Sequence, residues 1–457
     1  MTPKPFSISM KFDQRLIPLG EPCQRIVEIS VRAAPKEDHE PRPNLNLAMV
    51  LDRSGSMSGE KLEYVKQAAL HVVDLMKDSD RLALVAYDDE VTLLSPGLPL
   101  DPLQRQKLRQ KIQAIRSGNS TNLSGGWLSG CQEVAKTMQK GEVNRTLLLT
   151  DGLANVGITD PTALAGHAGE LAQRGVLTST FGVGVGFNHY LLEAMANHGD
   201  GSFYFIEFPE DIPNIFRQEF AELSEIAANN VEITFHYPSE WTIDVPGDWQ
   251  TDTAMPGLLR ARVGALGAGT GKEIYVKLSI PAGNSKIAPL IASARATDTT
   301  GNLQEDTTEQ EFSMATKAEV DAEPKNEQVL DRFAAVDLAY QAAEALKVEQ
   351  LGQVQRSREM LAQALNEHRD RVDDARRQEY TGLDEQIAAG MDEYARKRYH
   401  AAMYAQKQRR AETEVYPLAQ HVSGHLVLDV HGHLALLDTG SPSSIGNRPS
   451  WQFMGHL

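Results

Sequence analysis

The spacing of apolar residues changes character several times along the chain. Over 25–32 apolar and polar side chains mostly alternate, which predicts a strand with one buried face. A polar stretch with prolines at 35–43 reads as a linker. Residues 45–51 form a short, mostly apolar run, the pattern of a strand covered on both faces. Leu62, Val65, Ala69, Val72 and Met76 follow at steps of three or four, which is one face of a helix. Strand-like runs recur at 82–87, 146–150, 177–185 and 203–206. Helical patterns lie at 103–115, around Trp127 to Ala135, and at 161–173, 189–197 and 212–223. Such alternation predicts parallel strands joined by right-handed crossovers: a doubly wound, Rossmann-like α/β unit spanning 45–225.

The period then changes to two. Val231, Ile233, Phe235 and Tyr237 alternate with polar residues, as do Ile274, Val276, Leu278 and Ile280, so 229–315 reads as a β-sandwich. The strand within residues 1–44 is suited to complete the same sandwich, which would make the α/β unit an insertion. Residues 324–412 are rich in Ala, Glu, Gln, Leu and Arg and predict two or three helices, with breaks near Gly352 and Thr381-Gly382. Their expected role is to pack on the sandwich or to mediate self-association. Residues 414–457 return to strand texture, at 426–430 and 434–437. The fold class is therefore multi-domain, α/β plus β, with a helical segment and a short hairpin tail.

Composition adds exclusions. Sixty-two acidic against 45 basic side chains give a formal charge of −17, which argues against nucleic acid as the partner. Cys23 and Cys131 form no CxxC pair and no disulfide framework. No run approaches the roughly 18 apolar residues of a membrane span, and the first residues lack the apolar block of a signal peptide. The expectation is a soluble, cytoplasmic protein.

Chemistry enters at the end of the first α/β strand, where Asp52-Arg-Ser54-Gly-Ser56 begins. Ligands of such sheets bind beyond the carboxyl ends of the strands. One carboxylate and two hydroxyls on alternate residues of a glycine-containing turn can converge on one point. Hard oxygen donors suit Mg²⁺, with Mn²⁺ or Ca²⁺ as neighbours. Two more oxygen groups fall where later strands and loops end: Thr121 in 118–123, and Asp151 after the run 146–150. Taken singly, each is an ordinary cap or turn residue. Together, each at an expected strand end, they read as a metal site.

These motifs carry a resemblance. Asp52-Arg-Ser-Gly-Ser56, Ser120-Thr-Asn-Leu123, Leu149-Thr-Asp-Gly152 and Thr180-Phe-Gly-Val-Gly-Val-Gly186 resemble those of von Willebrand factor type A domains. The resemblance implies a metal-ion-dependent adhesion site with Ser54 and Ser56 as direct ligands. It implies Thr121 as a direct or water-bridged ligand, and Asp52 and Asp151 holding coordinated waters. It also implies an open metal position that takes a carboxylate from a partner protein. The flanking β regions are similar to the arrangement in bacterial relatives of inter-alpha-trypsin inhibitor heavy chains.

A second motif lies at 435–446, Ala-Leu-Leu-Asp438-Thr-Gly-Ser-Pro-Ser-Ser-Ile-Gly, which resembles the active-site turn of aspartic peptidases. There, paired carboxylates share a proton and activate water. Only 19 residues follow Asp438 and no second Asp-Thr-Gly or Asp-Ser-Gly occurs, so a facing carboxylate would have to come from another subunit. An aspartic endopeptidase using Asp438, or its incomplete remnant, is thus the alternative to a metal-dependent binding protein. A non-catalytic companion of a separate ATPase is a third reading. His421, His425, His431 and His433 suggest an exposed hairpin face rather than a metal cluster. Gly182, Gly184 and Gly186 read as part of a strand, and Cys131 and Met57 as core.

Overall fold

The structure, a computed structural model, describes residues 4–35, 42–184, 186–224, 226–283, 288–298 and 301–407. Beyond these it describes only the backbone pairing of 427–428 with 434–435. Asp438 and the four C-terminal histidines lie outside the described residues.

The chain opens with β1 (Phe6–Phe12), β2 (Leu16–Pro18) and β3 (Cys23–Ala33). The α/β unit then runs β4 (Leu45–Asp52), α1 (Glu60–Leu75), β5 (Arg81–Tyr87), β6 (Val91–Pro99), α2 (Pro102–Gln113) and α3 (Leu123–Thr137). It continues with β7 (Val143–Thr150), α4 (Pro161–Gln173), β8 (Leu177–Val183), α5 (His189–His198), β9 (Phe203–Ile206) and α6 (Ile212–Ser224). Its sheet has the order β6-β5-β4-β7-β8-β9 and is parallel except for β6, an antiparallel edge strand. Leu45, Leu47, Met49 and Leu51 of β4 meet α1, α2 and α6 on one face. Ala48 and Val50 meet α3, α4 and α5 on the other. Both faces of the central strand are therefore covered, which is why its sequence shows no alternation.

The strands β10 (Ile226–His236), β11 (Thr242–Asp244), β12 (Gln250–Asp252) and β13 (Leu258–Gly267) follow. After them come β14 (Gly271–Ile280), β15 (Leu290–Asp298), β16 (Leu303–Gln310) and β17 (Ser313–Ala315). Two sheets result, β1-β3-β14-β11 and β12-β13-β10-β15-β16, with β2 and β17 pairing in parallel beside them. Val27, Ile29 and Val31 of β3 share one apolar core with Ile233 and Phe235 of β10 and with Leu290 and Ala292 of β15. The α/β unit is inserted between β3 of one sheet and β10 of the other.

Five helices close the described chain: α7 (Lys317–Ala322), α8 (Glu327–Gln350), α9 (Val354–Glu367), α10 (Asp374–Ala389) and α11 (Glu393–Lys407). The expected break at Gly352 is present, with φ +78° after α8. The one expected at Thr381-Gly382 is not. Both residues lie inside α10, where burial of Tyr380, Leu383 and Ile387 outweighs the roughly 1 kcal/mol cost of a helical glycine. The actual turns, at 368–373 and 390–392, add a fourth long helix. The segment bridges the two other units. Val329, Phe333 and Val336 of α8 cover Ile26 and Tyr275 on the outer face of β3 and β14. On the α/β side, Tyr404 of α11 packs against Phe203 with ring centroids 5.7 Å apart, and Arg398 grips Glu207.

The seam between α11 and α5 buries titratable groups. His189 and His400 meet edge to face at 4.2 Å, and His400 Nε2 lies 3.3 Å from Glu193 Oε2. Lys407 reaches Glu193 at 3.2 Å and also pairs with Asp248. Burial, helped by Lys397, holds the His189 imidazole down at about 3, and burial and then His189 hold His400 well below its usual range. Below about pH 6.5 the unfolded chain protonates both rings while the folded chain leaves them neutral, so acid favours unfolding. Burial pushes Glu193 up despite Lys407, which gives the opposite slope, but one carboxyl is set against two imidazoles. Thermal unfolding followed between pH 7 and 5 is expected to show Tm falling. His189→Gln with His400→Gln is expected to flatten that fall, and an unchanged slope would refute the assignment.

Candidate metal centre

The five predicted oxygen donors come together beyond the carboxyl ends of the central strands. Asp52 is the last residue of β4 and is fully buried. Its Oδ1 accepts a 2.8 Å hydrogen bond from the Ser54 amide. Its Oδ2 accepts from Thr150 Oγ1 at 2.6 Å and from Tyr87 Oη at 3.4 Å. Burial raises the Asp52 carboxyl above its ordinary value, and the bonds from Thr150 and Ser54 counter that rise. The turn that follows returns the two serines to the same side. Ser54 Oγ and Ser56 Oγ are 3.1 Å apart, and Ser56 Oγ donates to Asp151 Oδ1 at 2.9 Å. Met57, as expected, is fully buried beneath the turn.

Thr121 precedes α3, whose cap is Asn122, with Oδ1 accepting from the Gly125 amide at 2.9 Å. The Asn155 side chain accepts from the Thr121 amide at 2.8 Å, which ties this loop to the one carrying Asp151. Backbone bonds from Gly55 to Asn119 at 2.7 Å, and from Gly118 to Arg53 at 2.7 Å, tie it to the serine turn. Gly118 is required by close approach, since a Cβ there would overlap the Asp88 carboxylate at 1.6 Å. Gly152 lets Thr121 and Asp52 approach each other closely. A Cβ built on it would lie 3.3 Å from Thr121 Oγ1 and 3.4 Å from Asp52 Oδ2. Three hydroxyls and two carboxylates brought together by these contacts are a hard, all-oxygen set of the kind divalent cations take.

Three contributors escaped the sequence reading. Thr150 holds Asp52 and also accepts from the Gly152 amide at 3.1 Å, yet it reads only as the end of an apolar run. Asn155 looks like a loop residue. Lys61, on the first turn of α1, forms an ion pair with Asp151 Oδ2, whereas a lysine at that position reads as a solvated side chain. The strand expected at 177–185 ends at Val183, so Gly184 and Gly186 lie in the loop beside Asp151 rather than in a strand. Cys131 is buried, as expected.

The chain carries a von Willebrand factor type A domain: the model of that family matches residues 46–218. Over 228 residues it is 34% identical to the Synechocystis sp. protein sll0103, covering 48% of this chain and 51% of that protein. It is similar to inter-alpha-trypsin inhibitor heavy chain H3 of Rattus norvegicus, 27% identical over 206 residues that cover 44% of this chain and 23% of the other. The chain thus spans about half the length of the first relative and about a quarter of the second. A solved von Willebrand factor type A structure from Catenulispora acidiphila is similar in fold, with TM-score 0.64 and 15% identity, covering 89% of this chain and 98% of that one. That likeness extends well beyond the A domain. The family match ends at residue 218 and does not reach Asp438.

Replacing Thr150 by valine keeps the shape but removes the shortest of these hydrogen bonds to a buried carboxylate. It is expected to cost about 1.5–3 kcal/mol in urea unfolding. A loss below about 0.5 kcal/mol would show that Asp52 does not depend on that hydroxyl.

Proposed function

We propose that the A domain holds a divalent cation, Mg²⁺ in the first instance and Mn²⁺ or Ca²⁺ as alternatives, and through it binds an acidic side chain of a partner protein. The observation that supports this reading is the clustering of the five residues: Ser54 beside Asp52 and Ser56, Ser56 on Asp151, and Thr121 and Asp52 flanking Gly152. The three hydroxyl groups carry no charge, and the two carboxylates balance a divalent ion only in pairs. A cation held there would supply a Lewis-acidic position for a carboxylate from outside. The chain's own part is to fix the donors: Thr150 and the Ser54 amide orient Asp52, Ser56 orients Asp151, and Asn155 orients the Thr121 backbone.

This is a binding role rather than a catalytic one. The peptidase reading rests on the motif at 435–446 alone, and its Asp438 lies outside the described residues. Among the described residues no helix is long and apolar enough to cross a membrane. Two free cysteines and the acidic balance suit the cytoplasm. The buried faces of α8 and α11 pack within the chain, so the helical segment is assigned to holding the units together rather than to self-association.

The test is retention of proteins from a lysate on the immobilised chain in Mg²⁺, followed by elution with EDTA. Asp52→Ala with Asp151→Ala is expected to abolish both Mg²⁺ binding and EDTA-released partners while circular dichroism stays native. Retained metal affinity with an unchanged set of partners would refute the proposal. Gly152→Val, which presses on Thr121 and Asp52 and adds no charge, is expected to reduce metal affinity at least tenfold by calorimetry.

A further inference from the structure

We infer that Lys61 is a resident counter-cation of the metal centre, competing with the divalent ion for Asp151 and so lowering the affinity of the site for metal. This rests on the metal-binding reading above and adds a residue outside the five oxygen donors. Asp151 is almost wholly buried, and both its oxygens are engaged: Oδ1 by Ser56, and Oδ2 by the Lys61 ammonium.

The lysine is guided there by its surroundings. Its stem runs along the loop after β8, with Cε 3.2 Å from where a Cβ of Gly184 would stand, and its ammonium lies 3.9 Å from the corresponding point at Gly186. Gly184 has φ +68°, a conformation that favours glycine, so bare backbone is what the stem passes. On the same loop, the Lys397 ammonium donates to Phe187 O at 2.7 Å and sits 3.9 Å from the Phe187 ring. Lys397 is itself paired with Glu393 at 3.6 Å, and the anion that Lys61 contacts is Asp151.

The charge count gives the direction of the effect. Asp52 and Asp151 bring two negative charges, and the serines and threonine bring none. Lys61 cancels one of the two before any metal arrives. A divalent ion must either displace the ammonium from Asp151 or remain beside it, and both alternatives weaken binding. Met fills the stem's volume without the charge, whereas Arg keeps the charge.

Mn²⁺ and Mg²⁺ are titrated calorimetrically into the full chain as wild type, Lys61→Met and Lys61→Arg, with Asp52→Ala/Asp151→Ala as the blank. Lys61→Met is expected to tighten metal binding on the order of tenfold, the scale of one opposing charge at a partly buried site. Lys61→Arg is expected to stay within about threefold of the wild type. Metal affinity that is unchanged or weaker in Lys61→Met overturns the inference while leaving the metal centre intact. Heat no greater than the blank in every variant overturns the metal-binding reading itself, and this inference with it. Lys61 is about one-third exposed, so the substitution leaves the core alone. Lys61→Gln, checked by circular dichroism, serves as a second neutral variant with the same expected sign.

Discussion

A carboxylate with no access to water, at the end of the central strand, is the constraint around which the A domain is arranged. An ionised Asp52 is costly in that position unless hydrogen-bond donors surround it. They come from three directions: the backbone of the turn that follows, Thr150 on the neighbouring strand, and Tyr87 on the strand at the other side. Satisfying one buried charge thus fixes the register of three adjacent strand ends. Once those ends are fixed, the serine turn and the Thr121 loop have little choice of position.

The legible parts of the sequence were those where one residue type has few structural alternatives. Continuous apolar runs such as 45–51 demanded a sheet covered on both faces, and the three-and-four spacing of α1 demanded a helix against it. The oxygen donors were legible because hydroxyls and carboxylates recurred at strand ends, where solvated polar groups are expected but not in that combination. Strand β6 was missed because it is an exposed edge carrying Pro96 and Gly97, whose composition reads as a loop. Thr381-Gly382 reads as a break because a local breaker carries no sign of the packing of Tyr380, Leu383 and Ile387 around it. Lys61 was invisible for a different reason. Its partner is 90 residues away, and nothing in local spacing announces an ion pair made by folding.

The same distinction applies to the joins between units. Hydrophobic periodicity placed a strand near residue 27 and others past residue 226, and their union in one core followed from the need to cover both. Polar, long-range contacts help fix the A domain on its support: Arg262 with Asp200, and Gln250 with the Asn197 carbonyl. Within the A domain itself, Arg145 of β7 is buried with Glu219 on α6, and Ser179 also donates to that carboxylate at 2.7 Å. These pairs confer orientation more than net stability, because each charge gives up hydration to form them.

The insertion has a mechanical consequence. The chain enters the A domain from β3 and leaves through α6 into β10, and these two strands belong to opposite sheets of one sandwich. Leu45 begins β4 at the end opposite Asp52, and Glu219 of α6 pairs with Arg145 near the start of β7, so the described ends of the domain lie away from the oxygen donors. A pull exerted on the donor end is therefore divided between two covalent tethers acting in parallel, each anchored in a different hydrogen-bonded sheet. Neither strand can be drawn out without breaking pairing on both its sides, β3 from β1 and β14, β10 from β13 and β15.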